Sequence, residues 1–201
     1  ILLAANEAIG APAPALAGCR RLADPGTLVV ATGQQPMPAG GPLLVLYKAL
    51  TAVALARRAQ ERLGVPVVPL FWNASEDHDL EEMGRAGAPG RGKEEGPDLF
   101  RADLAPWRGR PAADIGPDPR WQEPLAAWLG TIAPRDGDPM EFAPRAGEGW
   151  AACFSRLLSR ALGPAGLVLV EPRHLRPLAG DVYGGVIEEW PRVEELLARS
   201  R

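Results

Sequence analysis

With 201 residues, a formal net charge of −3, 46% hydrophobic residues, 23 Gly and 22 Pro, the chain has material for a folded core thinned by small residues and breakers. This charge leaves no basic footprint for nucleic acid, and no apolar run reaches the roughly 18–20 residues of a membrane span. The two cysteines, Cys19 and Cys153, stand too far apart for a metal or redox spacing, which predicts no metal site and a reducing, cytoplasmic setting.

A short helical pattern opens the chain and runs into Gly10-Ala-Pro-Ala-Pro, and Asp24-Pro25-Gly26 is a turn signal. Leu28–Thr32 is a continuous apolar run with β-branched residues, the pattern of a buried strand in a parallel sheet. A loop with three Gly and three Pro follows over residues 33–42. Leu43–Leu63 reads as a helix with Leu43, Leu46, Leu50 and Val53 on its apolar face, stopped by Gly64 and Pro66. Val67–Trp72 is a second strand, and Pro69 within it predicts an edge position or a bulge. Strand, helix and strand in this order form a βαβ unit with a right-handed crossover.

Ser75–Met83 reads as the next helix, with Glu76, Asp77 and Asp79 in its first turn. Residues 84–120 are rich in Gly, Pro and charge without periodicity, with a short strand expected near Leu99–Leu104. Trp121–Ile132 and Gly149–Leu162 are predicted helices, and 166–171 is a third strand. A last helix runs from Arg176 to the end, kinked or broken at Pro191. The class is α/β, a parallel sheet with flanking helices. Residues 1–83 form the first part of the core, 84–148 a connecting insertion, and 149–201 the continuation of the core.

The candidate site residues sit where the predicted strands end. In open parallel sheets, ligands bind beyond the carboxyl ends of the strands. The loop after the first strand offers Gly33 and Gly41 for close backbone approach, and Gln34 and Gln35 as paired donors and acceptors. Its spacing matches neither standard nucleotide motif. It reads equally as a plain connection in a Pro- and Gly-rich chain. Lys48 is one of only two lysines against a background of arginine, which favours a need for a compact ammonium; a snorkelling helix-flank lysine is the plainer reading. Trp72-Asn73-Ala74-Ser75-Glu76-Asp77-His78-Asp79 gathers three carboxylates and a histidine. Acidic residues in a first helical turn are ordinary, but His78 beside them suits acid/base work. Glu171 after the third strand could meet a ligand hydroxyl, though a plain strand-to-helix turn is favoured.

Several of these stretches resemble the bacillithiol-biosynthesis cysteine-adding enzymes, the BshC cysteine ligases. They are Val29–Gln35, Gly41-Pro42-Leu43, Tyr47–Ala52, Leu63–Pro69, Phe71-Trp72, Ala74–Asp79 and Gly166–Arg173. The resemblance implies a Rossmann-like core similar to nucleotidyltransferases, here incomplete, with a dimerising coiled coil absent from this stretch. It implies a carbon–nitrogen ligase that joins L-cysteine to glucosaminyl malate by amide formation, and a nucleotide site for ATP or ADP. By position, Gly33, Gln34, Gln35, Gly41, Lys48, Asn73, Ser75 and Asp77 would line the substrate or nucleotide pocket. Lys48 would hold a malyl carboxylate or a phosphate. His78, Asp79 and Glu76 would be catalytic, with His78 and Asp79 supplying acid/base help to the attacking amine. Asn73 stands where the family usually has an aliphatic residue. Family members are far longer, so the chain is expected to be an N-terminal section, inactive alone if the rest is required. The alternative is a nucleotide-binding or nucleotidyltransferase-like domain with other chemistry.

Overall fold

Leu28–Gln34 (β1) and Val67–Asn73 (β2) pair in parallel along their whole length, Leu28 against Val67 through Gln34 against Asn73. Leu43–Leu63 (α3) crosses between them. Val168–Val170 (β5) adds in parallel to the other side of β2, giving the order β1-β2-β5. The structure is a computed structural model and describes residues 1–89, 96–132, 138 and 141–199.

Period-two alternation gives the sheet two faces. Phe71 and Leu169 pack with Val45 and Ala49 of α3 and with Phe154, Leu158 and Leu162 of Trp150–Leu162 (α6). Val68, Val168 and Val170 face Cys19 of Ala13–Arg21 (α2), with Leu2 and Leu3 of Leu2–Ala8 (α1) against them. The result is a three-layer α/β/α sandwich, the Rossmann-like arrangement that the family resemblance implies.

Three local readings change. First, Pro69 lies in the central strand, not at an edge. The Leu28 N–H donates to the Pro66 carbonyl, so ladder alternation turns the Pro69 nitrogen toward β5, where pairing begins only at Leu70. No ladder bond is lost there. Second, the apolar strand β1 is the edge, with Leu28 46% and Val29 45% exposed. Third, α3 has the bounds read from the sequence but buries a different face. Val45, Ala49, Ala52 and Ala56 are buried, while Leu43, Leu50 and Leu55 are exposed. Leu46 and Val53 pack only partly. Small side chains let the helix sit close on the sheet, which leaves no room beneath it for the large ones.

The outer edge of β5 is closed by a side chain. Asn6, fully buried, accepts from the Leu169 N–H at 3.1 Å and donates from Nδ2 to the Leu169 carbonyl at 2.9 Å. It makes the two bonds a neighbouring strand would make. Asn6→Ala strands both backbone groups, and the expected loss is about 1–3 kcal/mol in urea unfolding. An unchanged midpoint would show that water replaces the amide.

The segment read as irregular has its own core. Arg85–Ala88 (β3) and Asp98–Arg101 (β4) form an antiparallel pair, and β3 was not foreseen. They pack with Pro119–Ile132 (α5) around Met83, Phe100, Trp121, Trp128 and Trp150. Trp121 and Trp150 meet edge to face at 5.1 Å. The C-terminal helix begins at Pro172, earlier than expected, and breaks at Glu189 into Pro172–Glu188 (α7) and Trp190–Arg199 (α8). Pro191 then falls in the first turn of α8, where its missing N–H costs nothing. Residues 200–201 of that pattern lie outside the described residues. Among the described residues, no helix is long and apolar enough to cross a membrane.

Candidate functional site

The ends of β1 and β2 are joined by a chain of side-chain hydrogen bonds. Lys48 Nζ on α3 donates to Gln34 Oε1 at 3.0 Å. Gln34 Nε2 donates to Gln35 Oε1 at 2.6 Å. Gln35 Nε2 donates to Asp77 Oδ2 at 3.1 Å and to Glu82 Oε2 at 3.3 Å. The lysine can only donate and the carboxylates only accept, so the two ends fix which way both amides point. Asp77 Oδ1 also takes the Asp79 N–H at 2.9 Å. That backbone bond first, then the Gln35 amide, holds the Asp77 carboxyl below the usual carboxylate range, so it is ionised at neutral pH.

Residues 75–79 form a turn, not the helix start read from the sequence. The Ser75 and Asp77 carbonyls accept from Ala113 N–H (2.7 Å) and Ala112 N–H (2.9 Å). These tertiary bonds take the groups a helix would use. The helix that follows is only Leu80–Met83 (α4), capped by Asp79 Oδ1 on the Glu82 N–H at 3.1 Å. Asp79 is therefore committed to the cap, and among the described residues no hydrogen bond joins it to His78. His78 is exposed and lines a cavity of about 510 Å³.

The other expected site residues are dispersed. Asn73 is fully buried and donates to the Ala151 carbonyl (3.0 Å) and Ser155 Oγ (2.8 Å), so it anchors α6 from the interior. Ser75 is also fully buried. Glu76 turns toward α7 and pairs with Arg176 at 2.7 Å. Glu171 is buried and pairs with Arg173 at 2.8 Å. Thus Gln34, Gln35, Lys48 and Asp77 are brought together, with His78 next to them in sequence. Glu76, Asn73 and Gly41 stand apart. Cys19 and Cys153 are free, and burial, followed by the nearby Glu148, pushes the Cys153 thiol up to about 12, far from a nucleophile's range.

Two residues that hold the loop were not foreseen. Glu82 shares Gln35 with Asp77. Trp150 Nε1 donates to the Pro36 carbonyl at 2.8 Å, in the buried interior, and ties the 33–42 loop to the second core. A tryptophan 114 positions away gives no local signal of this.

The loop does not fit a phosphate as it stands. A Cβ on Gly33 would meet the Trp72 carbonyl oxygen at 2.7 Å. One on Gly41 would meet Val45 Cγ2 at 2.9 Å, and Gly41 also needs its positive φ of 82°. Both glycines make room for the protein itself, and the Lys48 ammonium is engaged by Gln34. Among the described residues, no group of three or more His, Cys, Asp or Glu is placed to hold a metal ion.

The family model for the bacillithiol-biosynthesis BshC N-terminal Rossmann-like domain matches residues 1–200. Relatives named "Putative cysteine ligase BshC" include one from Koribacter versatilis, 32% identical over 96% of this chain and 36% of the relative. The Solibacter usitatus relative is 32% identical over 100% of this chain and 38% of its own length. One from Symbiobacterium thermophilum reaches 50% identity over 39% of this chain and 14% of its own. The chain thus spans little more than a third of the curated relatives it matches most fully. On that match the chain belongs to the BshC family of bacillithiol biosynthesis, as its N-terminal Rossmann-like domain.

Proposed function

We propose that this chain is the N-terminal section of an amide-forming ligase that joins L-cysteine to glucosaminyl malate. The observation that carries the reading is the charge-terminated chain Lys48–Gln34–Gln35–Asp77, which rigidly sets the ends of two parallel strands beside an exposed histidine. That is where an open α/β sheet receives its ligand. Amide formation makes a C–N bond at the carboxyl carbon of one substrate and breaks a C–O bond there. The oxygen leaves as water or, where ATP activates the carboxyl, as phosphate. The amine of the other substrate arrives as an ammonium near neutral pH and must first lose a proton. His78 is free to take it, since no other side chain among the described residues hydrogen-bonds its imidazole. The ordered amides of Gln34 and Gln35 offer fixed dipoles to the polar groups of the substrate.

The test uses the full-length protein that contains this chain. It is incubated with both substrates, with and without ATP, and the amide product is read by mass spectrometry. Product formation that depends on both substrates supports the reading. Absence of product under both conditions, from a folded protein, overturns it.

A further inference from the structure

The cavity of about 510 Å³ beside His78 is lined by three arginines, Arg85, Arg101 and Arg108. Arg85 and Arg101 stand directly opposite each other on the β3–β4 ladder. The next pair, Ala86 and Phe100, turns inward with Phe100 buried, so alternation puts both arginines on the outer face. Like charges directly opposite across strands are destabilising. The nearby carboxylates do little to relieve them. Asp79 caps α4, and Asp103 Oδ1 takes the Ala105 N–H at 3.1 Å. Glu81 lies 3.7 Å from Arg85 with its side chain 84% exposed, a loose surface pair. Among the described residues, Arg101 and Arg108 have no ion-pair partner.

We propose that this cavity binds a compact dianion, a dicarboxylate or a phosphate, held between Arg85, Arg101 and Arg108. Guanidinium forks match the oxygens of either group in pairs, and the volume suits a small ligand. The anion supplies the negative charge that the cross-strand arginine pair lacks. Under the ligase reading, the cavity takes the malyl end of the substrate and sets it beside His78. Only that assignment rests on the ligase reading; the binding does not.

The full-length protein that contains this chain is titrated with L-malate, inorganic phosphate and acetate at fixed ionic strength, followed by calorimetry and by the thermal midpoint. At least one dianion is expected to bind and raise the midpoint, while acetate does not. Malate alone identifies a dicarboxylate site, and phosphate alone a phosphate site. Arg101→Glu is expected to weaken dianion binding at least ~10-fold. It should also raise the unfolding midpoint without ligand, because an ion pair to Arg85 replaces a repulsion. A merely structural arginine would lower that midpoint. Arg108→Gln should weaken binding and leave the midpoint in place. If neither dianion binds, or if both variants bind as the parent does, the proposal falls. Binding without amide formation would sink the ligase reading alone; amide formation without dianion binding would sink this one alone.

Discussion

Arg156→Ala is expected to cost about 3–5 kcal/mol of folding stability. The Arg156 side chain is 4% exposed and its partner Glu148 11%. Arg156 Nε donates to Glu148 Oε1 at 2.7 Å, and Nη2 donates to Oε2 at 2.9 Å and to the Ala143 carbonyl at 2.8 Å. Glu148 also takes the Arg145 N–H at 2.9 Å. The pair clamps the segment before α6 onto that helix. Truncating the arginine leaves a buried carboxylate and a buried carbonyl unpaired, and opens a cavity. Urea unfolding with the slope monitored measures the loss. The double variant Arg156→Met with Glu148→Leu should regain most of it, because matched apolar groups leave no charge behind. A single-variant loss below about 1 kcal/mol would mean that the clamp is solvated.

The same pair sets a pH dependence. Burial pushes the Glu148 carboxyl up, but the Arg156 hydrogen bonds, the Arg145 N–H and the two positive charges together hold it below its ordinary value of 4.5. A depressed carboxyl pKa contributes stability that is complete above the unfolded value and is lost as pH falls through the folded one. Acid unfolding should therefore begin below about pH 4.5, and Glu148→Gln should flatten that limb.

Under the proposed ligase reading, His78→Ala in the full-length protein is expected to lower kcat by about 10²–10⁴-fold with little change in KM, the usual scale of a lost proton acceptor. His78 is exposed, so the variant should fold, which a parallel melting curve checks. Added imidazole should restore part of the rate, because it can enter the open cavity and take the proton instead. Unchanged kcat, or a loss confined to KM, would remove the proton-transfer role. Asp79→Asn should do much less to kcat, since Asp79 caps α4 and an asparagine can cap as well. This separates two residues that the family resemblance pairs in acid/base work.

What the sequence conveyed depended on how local the physics was. Helix α3 could be read to its ends, because the proline before it and the glycine after it are neighbours in the chain. Its buried face could not. Leucine is the larger hydrophobe, but Ala49, Ala52 and Ala56 decide how near the sheet can come. Pro69 looked like an edge residue because ladder parity is a property of three strands together. In the site, Gln34, Gln35, Lys48 and Asp77 were each suspected, and they do meet. The turn at Ser75–Asp79 carries no local signal, because its bonds go to Ala112 and Ala113, far along the chain. Glu148 with Arg156, and Arg85 with Arg101, carry no local motif at all.

Asn6 gives the sheet a direction. By bonding both backbone groups of Leu169 it acts as a chain terminator on the β5 side. On the β1 side, Val29, Ala31 and Gly33 turn their backbone groups outward, since the Leu28 N–H bonds toward β2. The sheet thus has one capped end and one growing end. Any strand that extends it must be templated by β1, which would become an interior strand, the very environment its apolar sequence describes. Unpaired, the same edge is where two copies of the chain would first stick to each other.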